Sequence, residues 1–249
     1  MKRLDLVPQL TVVIPTYNEA ENLPKLLSVL FSLPIAGLNI LIVDDNSPDG
    51  TGELADELAC KYADCVQVLH RAGKLGLGTA YTSGFLRLLE GNTQAIAQMD
   101  ADFSHPPEKL VEMQECLRHH DAVFGSRYIH GGKVDERWPL WRKSLSAFGN
   151  AYARTILRLP VRDTTGGFRV WRREALSRIP LDKVKSNGYA FQVEMAYLAH
   201  RTGCSICEVP IYFADRLWGR SKMSFHIQIE AALGVWRMLY RYRDLKAQV

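Results

Sequence analysis

Apolar residues along this chain come in short runs that alternate with helical stripes. Residues 10–15 (LTVVIP), 39–43 (NILIV) and 95–99 (AIAQM) are largely apolar and of strand length. Runs of this kind without polar alternation predict strands buried on both faces, as in a parallel sheet. Between the first two, Leu23, Leu26, Leu27 and Leu30 recur at three- to four-residue spacing, which predicts an amphipathic helix. A second helix is expected from about residue 51 to residue 62. Each strand runs straight into polar, turn-forming sequence: TYNE at 16–19, DDNSPDG at 44–50 and DADFSHPP at 100–107. In a strand–helix alternation with right-handed crossovers, such loops emerge at one edge of the sheet, where open α/β sheets bind ligands. Glu19, Asp45, Asp100 and Asp102 are therefore expected to converge, although the first and last are about 80 residues apart in sequence.

The chemistry on offer at that edge is oxygen-rich. Asp100 and Asp102 stand one residue apart where the third apolar run stops, and the break at 103–107 (FSHPP) lets both turn toward one hard cation. Mg²⁺ or Mn²⁺ takes oxygen ligands and keeps positions open for phosphate oxygens, so two carboxylates beside a nucleotide diphosphate make a plausible shell.

Composition restricts the class of protein. With 249 residues, 47% of them hydrophobic and 23% charged, the chain can bury one large core. No apolar stretch reaches the roughly 18 residues that a membrane span needs; the run 231–236 (AALGVW) is stopped by Arg237. The first residues, MKRLD, lack the apolar core of a signal peptide, and a cytoplasmic location is expected. Net charge is +4, enough for weak attraction to anionic lipid and no indication of nucleic-acid binding. Cys60, Cys65, Cys116, Cys204 and Cys207 are read as structural thiols, since Cys204 and Cys207 sit in a strand-like run with no second pair at metal spacing. The glycines of 73–78 (GKLGLG) fit neither nucleotide-loop spacing and are expected to open a helix.

Taken together, VIPTYNE at 13–19, IVDDNSPDG at 42–50, KLGLGTA at 74–80, DAD at 100–102 and GSRY at 125–128 resemble inverting GT-A-fold glycosyltransferases. DTTGGFR at 163–169, GYAFQVEM at 188–195 and DRLWGRSK at 215–222 narrow the resemblance to polyprenyl- (dolichyl-) phosphate mannose synthases. It covers about residues 10 to 225. It implies an α/β fold of GT-A type: a single Rossmann-like, mostly parallel sheet flanked by helices, with C-terminal amphipathic helices. Residues 1–249 would form one glycosyltransferase domain, with a catalytic core over about 10–215 and a lid loop and C-terminal helix over 216–249.

The resemblance also implies roles residue by residue. GDP-mannose would be held by Pro15, Tyr17, Glu19, Val43, Asp45, Asp100, Ala101, Asp102, Arg216 and Lys222, and the metal by Asp100 and Asp102. Asp44 is the alternative in its loop, as a residue that ties the turn down. Asp102, Arg127, Arg216 and Lys222 would be catalytic, the cations offsetting charge that grows on the diphosphate. Arg127, Arg142 and Ser146 would hold the acceptor phosphate, with Lys143 adding charge nearby.

A polyprenyl phosphate acceptor accounts for an absence. Many relatives in the broad fold carry a late acid followed by Gln-x-x-Arg-Trp, and no such motif occurs here. A sugar hydroxyl needs a general base, whereas a phosphate monoester is largely dianionic near neutral pH and attacks directly. Glu194, mid-helix in its motif, is assigned to structure or pocket shape. His105 either lines the pocket or caps its loop, and Ser104 stands where some relatives carry a Gln metal ligand. Trp141, Leu145, Phe148, Tyr152, Ile156 and Leu159 form an apolar helical stripe among Arg142, Lys143, Arg154 and Arg158, and 229–243 has a similar composition. Such helices suit a membrane surface, and equally suit packing on the core.

Other readings remain at this level. A UDP-glucose or other hexose donor is the nearest. A phosphatase or phosphotransferase with an Asp-x-Asp nucleophile places the pair after its first strand with a Thr two residues on, unlike 100–104 here. A non-catalytic lipid-surface module would have no use for Asp100, Asp102, Arg127, Arg216 and Lys222 together.

Overall fold

The computed structural model describes residues 8–215 and 225–245, excluding the side chains of 225–231. The lid loop expected at 216–224, with Arg216 and Lys222, lies outside the described residues, as do the first seven.

The expected apolar runs are strands. β1 (Leu10–Thr16), β2 (Asn39–Asp44), β3 (Val66–His70) and β4 (Ala95–Gln98) alternate with α1 (Leu23–Ser32), α2 (Thr51–Lys61) and α3 (Leu77–Glu90). Beyond them come α4 (Lys109–Cys116), β5 (Ala122–Ser126), β6 (Lys133–Val134), α5 (Leu140–Leu157), β7 (Arg169–Arg172), α6 (Arg173–Ser177) and α7 (Gly188–Arg201). The chain closes with β8 (Ile206–Pro210), β9 (Tyr212–Phe213) and α8 (Phe225–Arg241). Seven strands form one sheet in the order β3-β2-β1-β4-β7-β5-β8, and β6 pairs with β9 in a small second one.

Within the large sheet only β7 runs against its neighbours. The other six strands point the same way, so the loops after β1, β2, β4 and β5 open on one edge. Both faces are covered. Val13, Leu41, Val43, Ile96, Phe124 and Trp171 face a core shared with α3, α5, α7 and α8, while Val12, Ile14, Ile40, Ile42 and Val170 face one shared with α1, α2 and α4. This double burial is why the strands read as apolar runs without alternation. Leu23, Leu26, Leu27 and Leu30 of α1 are fully buried, worth about 1.5–3 kcal/mol each relative to exposure. Gly84 lets α3 lie close on β1: a Cβ there would meet Val13 Cγ1 at 2.6 Å.

Two local expectations change, and the open one for the α5 stripe divides along its length. α5 ends at Leu157, because Arg158 turns into the left-handed region (φ 53°), and Leu159 is buried in the core beyond the helix. The buried face of α5 is Asn150, Ala153 and Leu157, so Trp141 and Phe148 of the apolar stripe are 65% and 68% exposed. Of Cys204 and Cys207, only the latter lies on β8, and the five cysteines are free thiols.

Candidate active site

The Asp100–Asp102 loop is built by its own hydrogen bonds. Past the end of β4, the Met99 amide still donates to the Val13 carbonyl (3.2 Å), which carries the strand one residue further toward the edge. Asp100 Oδ1 accepts from the Tyr81 hydroxyl at 2.7 Å, and its amide donates to His105 Nδ1 at 3.1 Å. Asp102 Oδ1 accepts from the amide and hydroxyl of Ser104, at 3.0 and 2.6 Å. Phe103 takes a left-handed conformation (φ 58°) to close this turn. Burial pushes the Tyr81 hydroxyl well above 10, and the charges of Asp100 and Asp102 push it further, so it stays protonated and donating. His105 is the loop's support. Its ring is buried and stacked on Phe168, with centroids 5.2 Å apart and planes 12° apart. Gly167 admits that ring, since a Cβ there would lie 3.3 Å from His105 Cε1.

Two carboxylates one residue apart, each accepting from a hydroxyl, suit a hard divalent cation. Among the described residues no cluster of three or more His, Cys, Asp and Glu side chains gathers around a metal position. Asp100 and Asp102 thus stand as a pair without a third such side chain among the described residues, and the Ser104 hydroxyl is directed at Asp102.

The residues expected to hold the donor sit at the ends of β1 and β2 and in the loops that follow them, with Ala101 after β4. Asp45 is nearly buried beside Arg71, Oδ1 to Nη1 2.9 Å, an ion contact without hydrogen-bond alignment. Its other oxygen accepts from the Leu75 amide at 3.1 Å. Asp44 binds Thr16 and Ser47 through 2.9 and 2.6 Å hydroxyl contacts, which makes it the tie of its loop. Glu19 accepts from Asn22 Nδ2 at 2.8 Å, and Lys74 Nζ sits 3.8 Å over the Tyr17 ring. The side chains of Val43 and Ala101 are buried in the core.

After β5 the basic groups assemble. Arg127 is buried, and Nε and Nη2 reach Asp163 at 2.7 and 2.8 Å while Nη2 also meets Thr165 Oγ1 at 2.7 Å. Burial opposes the Arg127 charge, but Asp163 more than restores it, and the guanidinium is held even more firmly protonated than usual. Arg169, fully buried beside the same acid, is pushed down to about 9 by burial. The Tyr128 hydroxyl lies 2.7 Å from Ser146 Oγ on α5. One turn earlier, Arg142 meets Asp215 at 3.2 Å and covers the Trp138 ring at 3.7 Å. Lys143 instead donates to the Glu136 carbonyl at 3.0 Å.

Glu194 is a structural hub. It is fully buried and accepts from the amides of Lys185 and Ser186, from Arg241 and from Tyr242. Sequence reasoning did not single out Tyr81, Arg71, Trp138 or the pairing of Asp163 with Arg127. Asp163 opens a recognisable motif, yet nothing in the sequence links it to a residue 36 positions away.

The sequence matches Glycosyl transferase family 2 over residues 11–179. It is 44% identical over 239 residues to an undecaprenyl-phosphate mannosyltransferase of Micrococcus luteus, covering 95% of this chain and 97% of that one. It is 46% identical over 215 residues to a polyprenol monophosphomannose synthase of Mycolicibacterium smegmatis, covering 86% and 80%. A mannosyltransferase from Pyrobaculum calidifontis, solved in complex with GDP-Man and Mn²⁺, superposes with a TM-score of 0.62 at 16% identity, over 94% of this chain and 64% of that one. The fold is thus of the GT-A type, and the chain belongs to glycosyl transferase family 2.

Proposed function

We propose that this enzyme transfers mannose from GDP-mannose to a polyprenyl phosphate, with inversion at the anomeric carbon, to give polyprenyl phosphate mannose. The observation that carries the reading is the meeting of two unlike half-sites at one sheet edge. The acidic loop of Asp100 and Asp102 follows β4, and the basic group of Arg127, Arg142 and Ser146 follows β5, in a chain with 44–46% identity to an undecaprenyl-phosphate mannosyltransferase and a polyprenol monophosphomannose synthase.

The division of labour follows from charge. Pro15, Tyr17, Glu19, Val43 and Asp45 frame the base and ribose of the donor at the ends of β1 and β2. Asp100 and Asp102 would hold Mg²⁺ or Mn²⁺, which when bound supplies positive charge to the diphosphate. Arg127, Arg142 and Ser146 bind the acceptor phosphate and bring its anionic oxygen to the anomeric carbon. That oxygen forms the new bond as the bond to GDP breaks, and the electron pair leaves with the diphosphate. No proton has to be removed, in keeping with the missing base motif. Arg216 and Lys222, assigned from the sequence, add charge on the leaving side.

The whole chain is read as one domain working at the cytoplasmic face of a membrane, peripherally attached. No helix of the described residues is long and apolar enough to cross one. The exposed Trp141 and Phe148 on α5 and Leu233, Trp236 and Tyr240 on α8 supply an apolar face for lipid, and Trp236 Nε1 ties the two helices by donating to Tyr152 at 2.9 Å.

The test is to incubate the purified protein with Mg²⁺ or Mn²⁺, a short polyprenyl phosphate and labelled GDP- and UDP-sugars. Label from GDP-mannose is expected in the organic phase. Label entering from a UDP-sugar alone would overturn the donor assignment.

A further inference from the structure

Three rings form a row between the acidic loop and α5. His105 meets the edge of Phe213, with centroids 5.7 Å apart and planes at 64°, and Phe213 meets Trp138 at 5.9 Å and 78°. Both cations of the acceptor half-site rest on this row: Arg127 lies 5.3 Å from the Phe213 centroid and Arg142 3.7 Å from that of Trp138. We infer that Trp138 and Phe213 are positioning residues that present Arg142 and Arg127 to the acceptor phosphate, the aromatic faces fixing the planes of the two guanidinium groups. The inference rests on the proposed role of these arginines as acceptor cations.

The local structure gives the rings little freedom. β6 and β9 pair in parallel, Lys133 with Tyr212 and Val134 with Phe213, which sets Phe213 beside the segment leading to Trp138. Asp135 knots them together. Its amide donates to the Phe213 carbonyl (2.9 Å), its carboxylate accepts the amides of Arg137 (2.9 Å) and Asp215 (2.8 Å), and its carbonyl accepts the Trp138 amide (3.2 Å). Trp138 is 6% exposed, so its ring is a fixed platform.

An aromatic face does for Arg142 what a carboxylate does not. Asp215 uses up a guanidinium N–H and competes with phosphate, and the pair is partly exposed and open to screening. The ring holds the cation by its π face and leaves the in-plane N–H groups free for two-pronged contact with phosphate oxygens. Arg127 divides its contacts in a similar way: Nε and Nη2 go to Asp163 and Thr165, while the guanidinium carbon lies 5.3 Å from the Phe213 centroid.

Fluorinated tryptophans of increasing substitution, placed at position 138 of the full chain, test this directly. Each fluorine withdraws negative potential from the ring face with little change of shape, so a packing role would not respond. The KM for a short polyprenyl phosphate is expected to rise step by step, to a total of about five- to thirtyfold, with kcat and calorimetric GDP-mannose affinity unchanged. A fluorophenylalanine series at position 213 should show a shallower trend of the same sign, because the cation there is further from the ring. A KM that stays flat across the Trp138 series overturns the inference. Arg142→Ala, measured alongside, separates the two levels: raised acceptor KM with a flat series removes only the aromatic positioning, whereas unchanged acceptor KM removes the acceptor assignment itself.

Discussion

The guanidinium of Arg127 and the carboxylate of Asp163 form a buried, two-pronged ion pair, with a third bond of 3.0 Å from the Arg127 amide to the same acid. Asp163 also receives the Gly166 amide at 2.9 Å, so one carboxylate organises both the loop after β5 and the loop before β7. Asp163→Asn keeps the shape but leaves Arg127 buried without its counter-charge. A loss of about 3–5 kcal/mol of stability is expected, read from urea unfolding near pH 7. Arg127 and Arg169, together with the hydrogen bonds, hold the Asp163 carboxyl below the usual carboxylate range against the effect of burial. A depressed folded pKa stabilises above the unfolded value and is lost on acidification, so this contribution is present from about pH 4 upward and fades as pH falls further. The variant's disadvantage should shrink over that acid range; a difference from wild type that is constant with pH would show that charge pairing is not its cause.

The second prediction concerns Asp102. Asp102→Asn retains an oxygen for Ser104 and removes the negative charge. Turnover is expected to fall by at least about a hundredfold, the scale of losing one electrostatic contact to developing charge. Mn²⁺ binding followed by electron paramagnetic resonance should weaken in parallel. Asp100→Asn should reduce both less, because Tyr81 and the His105-supported main chain continue to hold that side chain in place. Near-normal metal-dependent turnover in the Asp102 variant would remove it from the mechanism.

Much of this arrangement was legible in the sequence, for a physical reason. Strands buried on both faces need unbroken apolar runs, so β1, β2 and β4 declared themselves, and parallel strands joined by helices must open their loops on one edge. What stayed hidden was the antiparallel β7, inserted between β4 and β5. Its four residues (RVWR) carry an Arg at each end, and strand direction leaves no mark on local pattern. The buried face of α5 was hidden too. Its aromatic stripe packs on the core only in part, through Tyr152 and Ile156, and the fully buried side is that of Asn150, Ala153 and Leu157, with Asn150 accepting the amide and hydroxyl of Thr164 at 2.7 and 2.8 Å. A polar residue satisfied by tertiary hydrogen bonds reads in sequence as a surface residue.

That exposed stripe supports the third prediction. Trp141→Ser and Phe148→Ser remove apolar area from the face proposed to meet lipid without touching the buried side of α5. Each should weaken sedimentation with anionic vesicles by roughly ten- to a hundredfold, since burying an aromatic side chain is worth about 1.5–3 kcal/mol. Turnover of a water-soluble short-chain acceptor should be unchanged. Full vesicle binding by the double variant would mean that another surface meets the membrane.

The last prediction separates acceptor from donor cations. Arg142 stands on α5 and is proposed to meet the acceptor, whereas Arg216 is assigned from the sequence to the diphosphate. Arg142→Ala should weaken the apparent affinity for polyprenyl phosphate and leave GDP-mannose binding nearly intact, because a charge-assisted contact of roughly 1.5–3 kcal/mol is lost from one substrate only. Arg216→Ala should reduce donor affinity and turnover, with acceptor affinity less affected. Asp215 makes the comparison sharper, since it is the ion-pair partner of Arg142 and the immediate neighbour of Arg216. Asp215→Asn frees Arg142 from a competing carboxylate and should tighten acceptor binding while donor affinity holds. Calorimetry with GDP-mannose and metal, set beside acceptor titrations of the rate, distinguishes these outcomes, and equal loss of donor affinity in the Arg142 and Arg216 variants would overturn the division between the two half-sites.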